Sequence, residues 1–277
     1  MKIKISAARM VIYTILILWA VISLFPLYWM ITFSLKSNSE IFGGNPIGLP
    51  REWLFSNYAS AFGSGNLGGY FLNSVIVSTV TILLTVFVSA MSSYAMMRMQ
   101  WKLSKAAMSM LMLGLMVPIH AALLPVFVMM RNMRLINTLW SLIVPYTGFA
   151  VPMGIMIISG FITSVPKELE EAAFIDGCNI YQMFFTIILP LLKSALATVS
   201  IFTFLQSWNE LMFAVVFISR ESARTLTVGI QSMSGRYFTE WGPIGAALTV
   251  ATVPTLIIYL ALSGQVQKSF IAGAVKG

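Results

Sequence analysis

Polar residues that recur on a helical period inside apolar sequence are the first candidates for chemistry in this chain. Ser200, Thr203, Gln206, Ser207 and Glu210 follow one another at three- and four-residue steps, which places them on one face of a helix. Hydroxyl, amide and carboxylate groups in such a row can hydrogen-bond a polar solute, or they can bond helices to one another. Thr203, Gln206, Ser207, Asn209 and Glu210 are therefore the candidate residues of a solute path. A comparable row, Ser74, Ser78, Thr81, Thr85, Ser89 and Ser92, consists of small hydroxyl residues only and reads as a packing seam between helices. One histidine (His120) and one cysteine (Cys178) leave no Cys/His metal cluster, no disulfide framework and no nucleophile–His–acid set to build from this chain alone. No G-x-x-x-x-G-K-[ST] phosphate loop occurs, so ATP binding is not expected here either. No catalytic residue is predicted.

The elements that must position these residues follow from composition. The 277 residues are 58% hydrophobic and only 9% charged, with a net charge of +8. Soluble domains carry roughly 25% charged residues, so this chain cannot cover a water-facing surface. Its basic residues are scattered between apolar stretches and form no stripe, which argues against a nucleic-acid partner. A helix needs about 20 apolar residues to cross a bilayer. Six stretches qualify: Val11–Phe33, Phe71–Met97, Ala106–Met130, Leu139–Ile162, Ser194–Ile218 and Ile244–Ser263. An all-α membrane protein with six transmembrane helices is predicted. A carboxylate at mid-membrane costs roughly 2.5–3.5 kcal/mol, so Glu210 is expected to face protein or water, or to sit near the outer interface.

The first span follows Lys2, Lys4 and Arg9, but its apolar run is too long for a signal core and no A-x-A site follows; an uncleaved first helix is expected. Arg98, Lys102 and Lys105 favour, weakly, a cytoplasmic N-terminus. His120 lies between Pro118 and Pro125, where the third span is expected to bend. Lys36–Tyr70 is expected to form a small external cap. Arg220–Pro243, with Tyr237, Phe238 and Trp241 towards its end, reads as an external loop.

The connection after the fourth span is different. Ser164 to Gly177 reads as a short helix with Ser164 as N-cap, Pro166 early, and Glu168, Glu170 and Glu171 in the first turns. Gly177 supplies a left-handed stop, and a second helical piece runs from about Tyr181 to Pro190. Leu169, Ala172 and Ala173 are spaced to give one small-residue face. An acidic helix of this kind suits a protein partner better than a lipid surface.

Glu171-Ala172-Ala173, three residues, Gly177, nine residues, then Ile187-x-Leu189-Pro190 resembles the EAA loop of ABC importer permeases, and it lies about 100 residues from the C-terminus as in that family. Trp208-Asn209-Glu210, Thr225-Leu226-Thr227-Val228-Gly229 and the terminal Gly273-Ala274-Val275-Lys276-Gly277 resemble its carbohydrate-uptake branch, in particular the smaller permease subunits of maltose-type importers. The resemblance implies one permease domain over residues 1–277, with a coupling loop at about 163–193. Glu170, Glu171, Ala172, Ala173, Asp176, Gly177, Ile187, Leu189 and Pro190 would then couple to an ATPase. It further implies a second homologous permease, two ABC ATPase subunits that bind ATP and Mg, an extracytoplasmic sugar-binding protein, and the lipid bilayer of a prokaryotic plasma membrane. No cofactor is implied for this chain. Because ATP is cytoplasmic, the loop and both termini would be cytoplasmic too. The implied activity is ATP-driven uptake of a sugar or oligosaccharide. Amino acids, peptides or phosphate are the alternative solutes, and an ion-coupled secondary transporter is a more distant rival for which only Glu210 offers a coupling group.

Overall fold

A computed structural model describes residues 7–63, 65–99, 101–235 and 239–274, the last ten of these and the first two by their backbone alone. Every regular element among the described residues is helical. Helix α1 spans Ala7–Ser34, α2 Asn38–Gly43, α3 Ser56–Phe62, α4 Leu67–Met97 and α5 Ser104–Leu113. After short 3-10 turns at Gly114–Met116 and Ile119–Ala122 come α6 (Leu123–Asn132), α7 (Trp140–Ile162) and α8 (Glu168–Ile175). The one-turn helices α9 (Ile180–Gln182) and α10 (Leu189–Leu191) flank a π-helical segment, Met183–Ile188. Then follow α11 (Lys193–Asn209), α12 (Met212–Phe217), α13 (Leu226–Ser232) and α14 (Trp241–Ala274). Two compact units result. One holds the described residues of Met1–Leu67 and Gly229–Val253, the other those of Gly68–Val228 and Pro254–Gly277.

Helices α1, α4, α7 and α14 are long and apolar enough to cross a bilayer unbroken, matching the first, second, fourth and sixth predicted spans. The most apolar stretch of α1 is exposed all round, so that helix finds its neighbours in lipid or in another chain.

The third and fifth spans are not the single helices expected. The third bends by 94° between Ser104–Met116 and Ile119–Asn132. Pro118 crowds the preceding residue out of the helical region, and Val117 takes ψ 114°. The expected bend is thus present, but at Pro118 alone. Pro125 sits in the first turn of α6, where its missing N–H costs little, and His120 is exposed on the intervening turn. The fifth span, expected over Ser194–Ile218, stops at Asn209; Glu210 is extended, with ψ 130°, and α12 starts afresh. Upstream, Ile180–Leu191 and Lys193–Asn209 meet at 75°. Arg220–Pro243 is not the plain loop expected, since it contains a turn at Glu221–Ala223 and α13. Tyr237 and Phe238 lie outside the described residues.

In the larger unit the hydroxyl row of α4 packs as a seam. Ser74, Ser78, Thr81, Thr85 and Ser89 are each at most 3% exposed. Ser93 continues the row in place of Ser92, one four-residue step beyond Ser89. Ser89 and Ser93 donate to the Val151 and Ile155 carbonyls of α7 at 3.2 and 3.3 Å. A Cβ on Gly154 would lie 2.9 Å from Cβ of Ser89, so the glycine sets the close α4–α7 crossing. Two apolar clusters complete this unit. One gathers Val77, Leu142, Tyr146, Phe213 and Phe217, and the other Tyr94, Ile158, Phe184, Ile188 and Leu192.

In the smaller unit the segment after α1 is organised by a buried ammonium. Lys36 Nζ donates to the carbonyls of Asn45 and Gly48, both at 2.7 Å. Tyr28 and Trp29 of α1 donate to the carbonyls of Ile47 and Pro46, so this stretch folds back along the helix. Glu40 Oε1 accepts from Asn45 Nδ2 at 2.7 Å and from the Arg51 amide at 2.8 Å. Burial pushes the Glu40 carboxyl up, but those two donors, with the charges of Lys36 and Arg51, outweigh it and hold it below its ordinary 4.5. A depressed carboxyl stabilises the fold above the unfolded value, and that contribution is lost as pH falls through the folded one. Amide exchange over residues 38–51, corrected for intrinsic rates, is therefore expected to accelerate relative to α4 between roughly pH 5 and pH 3. Glu40→Gln should abolish that pH dependence.

Candidate functional site

The connection from α7 to α11 is built by local rules that only partly match its sequence signals. Ser164 does not cap α8. Its hydroxyl donates back to the Phe161 carbonyl at 2.7 Å, and the helix begins at Glu168 behind an already helical Lys167. Glu168, Glu170 and Glu171 do occupy the first turn, where the helix dipole favours carboxylates. After Asp176, Gly177 takes φ +81°, a conformation glycine adopts at little cost. The amides of Gly177 and Cys178 then close on the carbonyls of Phe174 and Ala173 at 3.1 and 3.0 Å. Asn179 and Gln182 form a reciprocal capping box, 2.9 Å in each direction, which starts the second helical piece at Ile180. Ile187 and Leu189 are half-buried in and beyond its π-helical part, and Pro190 is exposed.

Helix α8 has two faces, and they divide the predicted coupling residues. Leu169, Ala172 and Ala173 do not share one face: Ala173 is 4% exposed and turned inward, while Leu169 and Ala172 are exposed. Glu171, Phe174 and Ile175, at three- and four-residue spacing, form the outward face. Phe174 and Ile175 are 75% and 83% exposed. Two bare apolar side chains beside a carboxylate suit a protein partner.

Glu170 belongs to the inward face. Its Oε1 pairs with Arg98 Nε at 3.0 Å, the two side chains being 16% and 7% exposed. Arg98 Nη2 also donates to the carbonyl of Ile162, the last residue of α7, at 2.8 Å, and to that of Val165. One turn earlier on α4, Tyr94 Oη donates to Glu170 Oε2 at 3.3 Å, and its ring lies 5.3 Å from that of Phe184. Removing one partner from a buried ion pair typically costs about 3–5 kcal/mol, because the other charge is left uncompensated. Sequence reading missed Tyr94 and took Arg98 only as a topology signal. Their i, i+4 spacing at the end of a span was the available hint.

The predicted path residues separate as well. Thr203, Ser207 and Glu210 are buried within the chain, at 3%, 7% and 9% exposure. Ser207 donates back to the Thr203 carbonyl at 2.8 Å. Glu210 Oε1 accepts from the Phe213 amide at 2.9 Å and Oε2 from the Ala214 amide at 3.2 Å, so its carboxylate caps α12, with Tyr146 Oη donating to the same carboxylate. Gln206 is half-buried and Asn209 exposed, and only these two keep side chains open to other molecules. The crevice beside Thr203 and Gln206, between α7 and α11, holds about 10 Å³, at the threshold for a single water. No solute fits there, so any path along this face needs a second surface to complete it.

Comparison with known proteins agrees with this geometry. Residues 86–271 match the family of binding-protein-dependent transport system inner membrane components. The chain is 34% identical over 95% of its length to the diacetylchitobiose uptake system permease protein of Streptomyces coelicolor, covering 88% of that protein. It is 34% identical to the melibiose/raffinose/stachyose import permease protein of Bacillus subtilis, over 91% of each chain. The trehalose/maltose transport system permease protein of Thermococcus litoralis is 32% identical, over 94% of each chain. A solved bacterial ABC transporter involved in import of the acidic polysaccharide alginate superposes with a TM-score of 0.82. That match covers 94% of this chain and 98% of the other at 19% identity, and carries the fold alone. A membrane-type helical fold, two bent spans and a family match over most of the sequence converge, and the chain belongs to the binding-protein-dependent transport system inner membrane components.

Proposed function

We propose that this chain is one of two membrane subunits of an ATP-driven sugar importer in a prokaryotic plasma membrane. It acts as a single permease domain over residues 1–277. A second homologous permease supplies the other half of the path, two ABC ATPase subunits bind ATP and Mg, and an extracytoplasmic sugar-binding protein delivers the solute. This chain contributes no catalytic group and no cofactor site. Segment 163–193 faces the cytoplasm, where the ATPases and ATP are. Four spans before it and two after it then place both termini on that side.

The observation that carries the reading is the division of α8. Glu170 and Ala173 fix it to its own chain, while Glu171, Ala172, Phe174 and Ile175 are presented outward. A short helix held on one side and bare on the other can receive a push from a partner and pass it on. Gly177 and Asp176 shape the end of that helix, and Ile187, Leu189 and Pro190 shape the return to α11. Closure of the ATPases on ATP would displace α8 and the spans attached to it, turning the path from inward- to outward-facing. A sugar as solute is supported by the names of the relatives, which carry diacetylchitobiose, melibiose, raffinose, stachyose, trehalose and maltose. Gln206 and Asn209 are the side chains of the row that would meet it, with Thr203, Ser207 and Glu210 holding the helix that presents them.

The test is to purify the tagged chain from its native membranes, identify what accompanies it, and assay uptake of radiolabelled melibiose, maltose and diacetylchitobiose in proteoliposomes. An ATPase, a second permease and a binding protein should copurify, and uptake should require ATP inside. Recovery of the chain alone, with uptake that ignores ATP and collapses with a protonophore, would overturn the proposal.

A further inference from the structure

The connection from α7 to α8, residues 163–167, is the natural place for a push on α8 to be lost. It is a short irregular turn containing Pro166. A turn of this kind can absorb a displacement by changing a few backbone angles, leaving the spans where they were. In this chain a single side chain from a third element closes that option. Arg98, at the end of α4, reaches across the connection, hydrogen-bonded on the α7 side and ion-paired on the α8 side. Nη2 donates to the carbonyls of Ile162, at 2.8 Å, and Val165, and Nε lies 3.0 Å from Glu170 Oε1 as an ion pair without hydrogen-bond alignment. The first contact adds a second donor to a carbonyl that already accepts from the Val165 amide at 3.1 Å, and places a cation at the negative end of α7. The second holds the middle of the turn. The third engages the first turn of α8, where a carboxylate is favoured.

We propose that Arg98 is the positioning residue that makes α4, α7 and α8 one rigid body, so that a displacement of α8 reaches both spans together. The inference rests on the coupling role proposed for α8 and names the part of the chain that carries it. Glu170 and Glu171 are adjacent in sequence and have opposite tasks: Glu170 anchors α8 inward, and Glu171 stands on the face that a partner meets. Tyr94 supports the anchor from one turn away, donating to Glu170 Oε2 at 3.3 Å while its ring packs on Phe184. The span of three acceptors is matched to a planar guanidinium. A lysine ammonium keeps the charge but cannot hold two carbonyls through one nitrogen while a second nitrogen of the same rigid plane stays 3.0 Å from the carboxylate.

The experiment measures rigidity inside one chain, within the complete importer purified with its ATPases. Spin labels replace Met97 on α4 and Glu168 at the start of α8, both exposed, in a Cys178→Ser background. The distance distribution is recorded without nucleotide and with ATP plus vanadate. With Arg98 in place, one narrow distribution is expected in both states. Arg98→Gln should broaden it at least twofold and make it shift when ATP is added. ATP hydrolysed per sugar transported should rise roughly tenfold in the same variant, a change that mere loss of folded transporter does not produce. A wild-type distribution in both states for Arg98→Gln would overturn the proposal. Should Arg98→Gln fail to accumulate, Arg98→Lys decides by the same measurement: broadening supports the three-way clamp, and wild-type width overturns it. Failure of the underlying coupling reading shows up separately. In that case no ATPase accompanies the wild-type chain, or a label at Ile175 is as mobile with the ATPase bound as without it.

Discussion

Gly177→Val is expected to abolish ATP-driven uptake while leaving the amount of protein in the membrane unchanged. Gly177 sits at φ +81°, between the end of α8 and the capping box at Asn179. A β-branched residue there meets its own carbonyl, at a cost of about 1–2 kcal/mol or more, and relieves it by returning to negative φ. That change re-aims everything from Asn179 onward relative to α8. The substitution is not a packing defect, since a Cβ at this position has no heavy atom within 4 Å in this chain. Insertion and stability should therefore change little. Restoring the left-handed geometry for the step in which α8 moves would bring back a strain of that size, roughly a tenfold loss of rate, and misdirection of the relaxed loop adds to it. Gly177→Asn separates two causes. Asparagine tolerates the left-handed region, so it restores the turn while occupying the space outside it. Near-normal uptake with Asn and none with Val would assign the effect to backbone geometry. Loss with both would assign it to a surface that closes on Gly177. Normal uptake with Val would remove Gly177 from the coupling set.

How much of this was legible beforehand depends on how far apart the participating residues are. Gly177 as a helix stop, the acidic first turn of α8 and the apolar spans are signals within a few residues, and each is where the sequence places it. The bend at Pro118 was legible for the same reason. The break at Glu210 was not, because a carboxylate in a polar row can line a path or cap a helix. The difference is decided by Tyr146, on α7, and by the amides of Phe213 and Ala214. Ser164 misled in the opposite direction. It has the residue type and position of an N-cap, yet its hydroxyl is taken by the preceding turn at Phe161. Arg98 is the clearest case of information absent from local spacing. Beside Lys102 and Lys105 it reads as one more basic residue at the end of a span, and only the packing of α4 against α7 brings it to Glu170.

Glu210→Ala should lower the apparent melting temperature in detergent, and by more than any other single change in the polar row of α11. The carboxylate supplies the N-terminal cap of α12, worth about 0.5–2 kcal/mol, and its removal also strands the buried Tyr146 hydroxyl at about 1–3 kcal/mol. Together these reach about 1.5–5 kcal/mol, or roughly 3–20 °C for a chain of this size. The main chain at the break is held independently, through Thr227 Oγ1 donating to the Glu210 carbonyl at 2.9 Å, so the bend itself should survive. Tyr146→Phe removes the hydroxyl that Glu210→Ala would strand. The double variant should therefore lose less stability than the sum of the single ones, the mark of a shared interaction. Strict additivity, or a shift below about 1 °C for Glu210→Ala, would show that the carboxylate does not hold this break. The same pair of measurements decides between cap and path. A residue that touches solute changes the KM of uptake even when stability is preserved. A residue that only caps α12 changes stability first, and loses transport in proportion to the protein that unfolds.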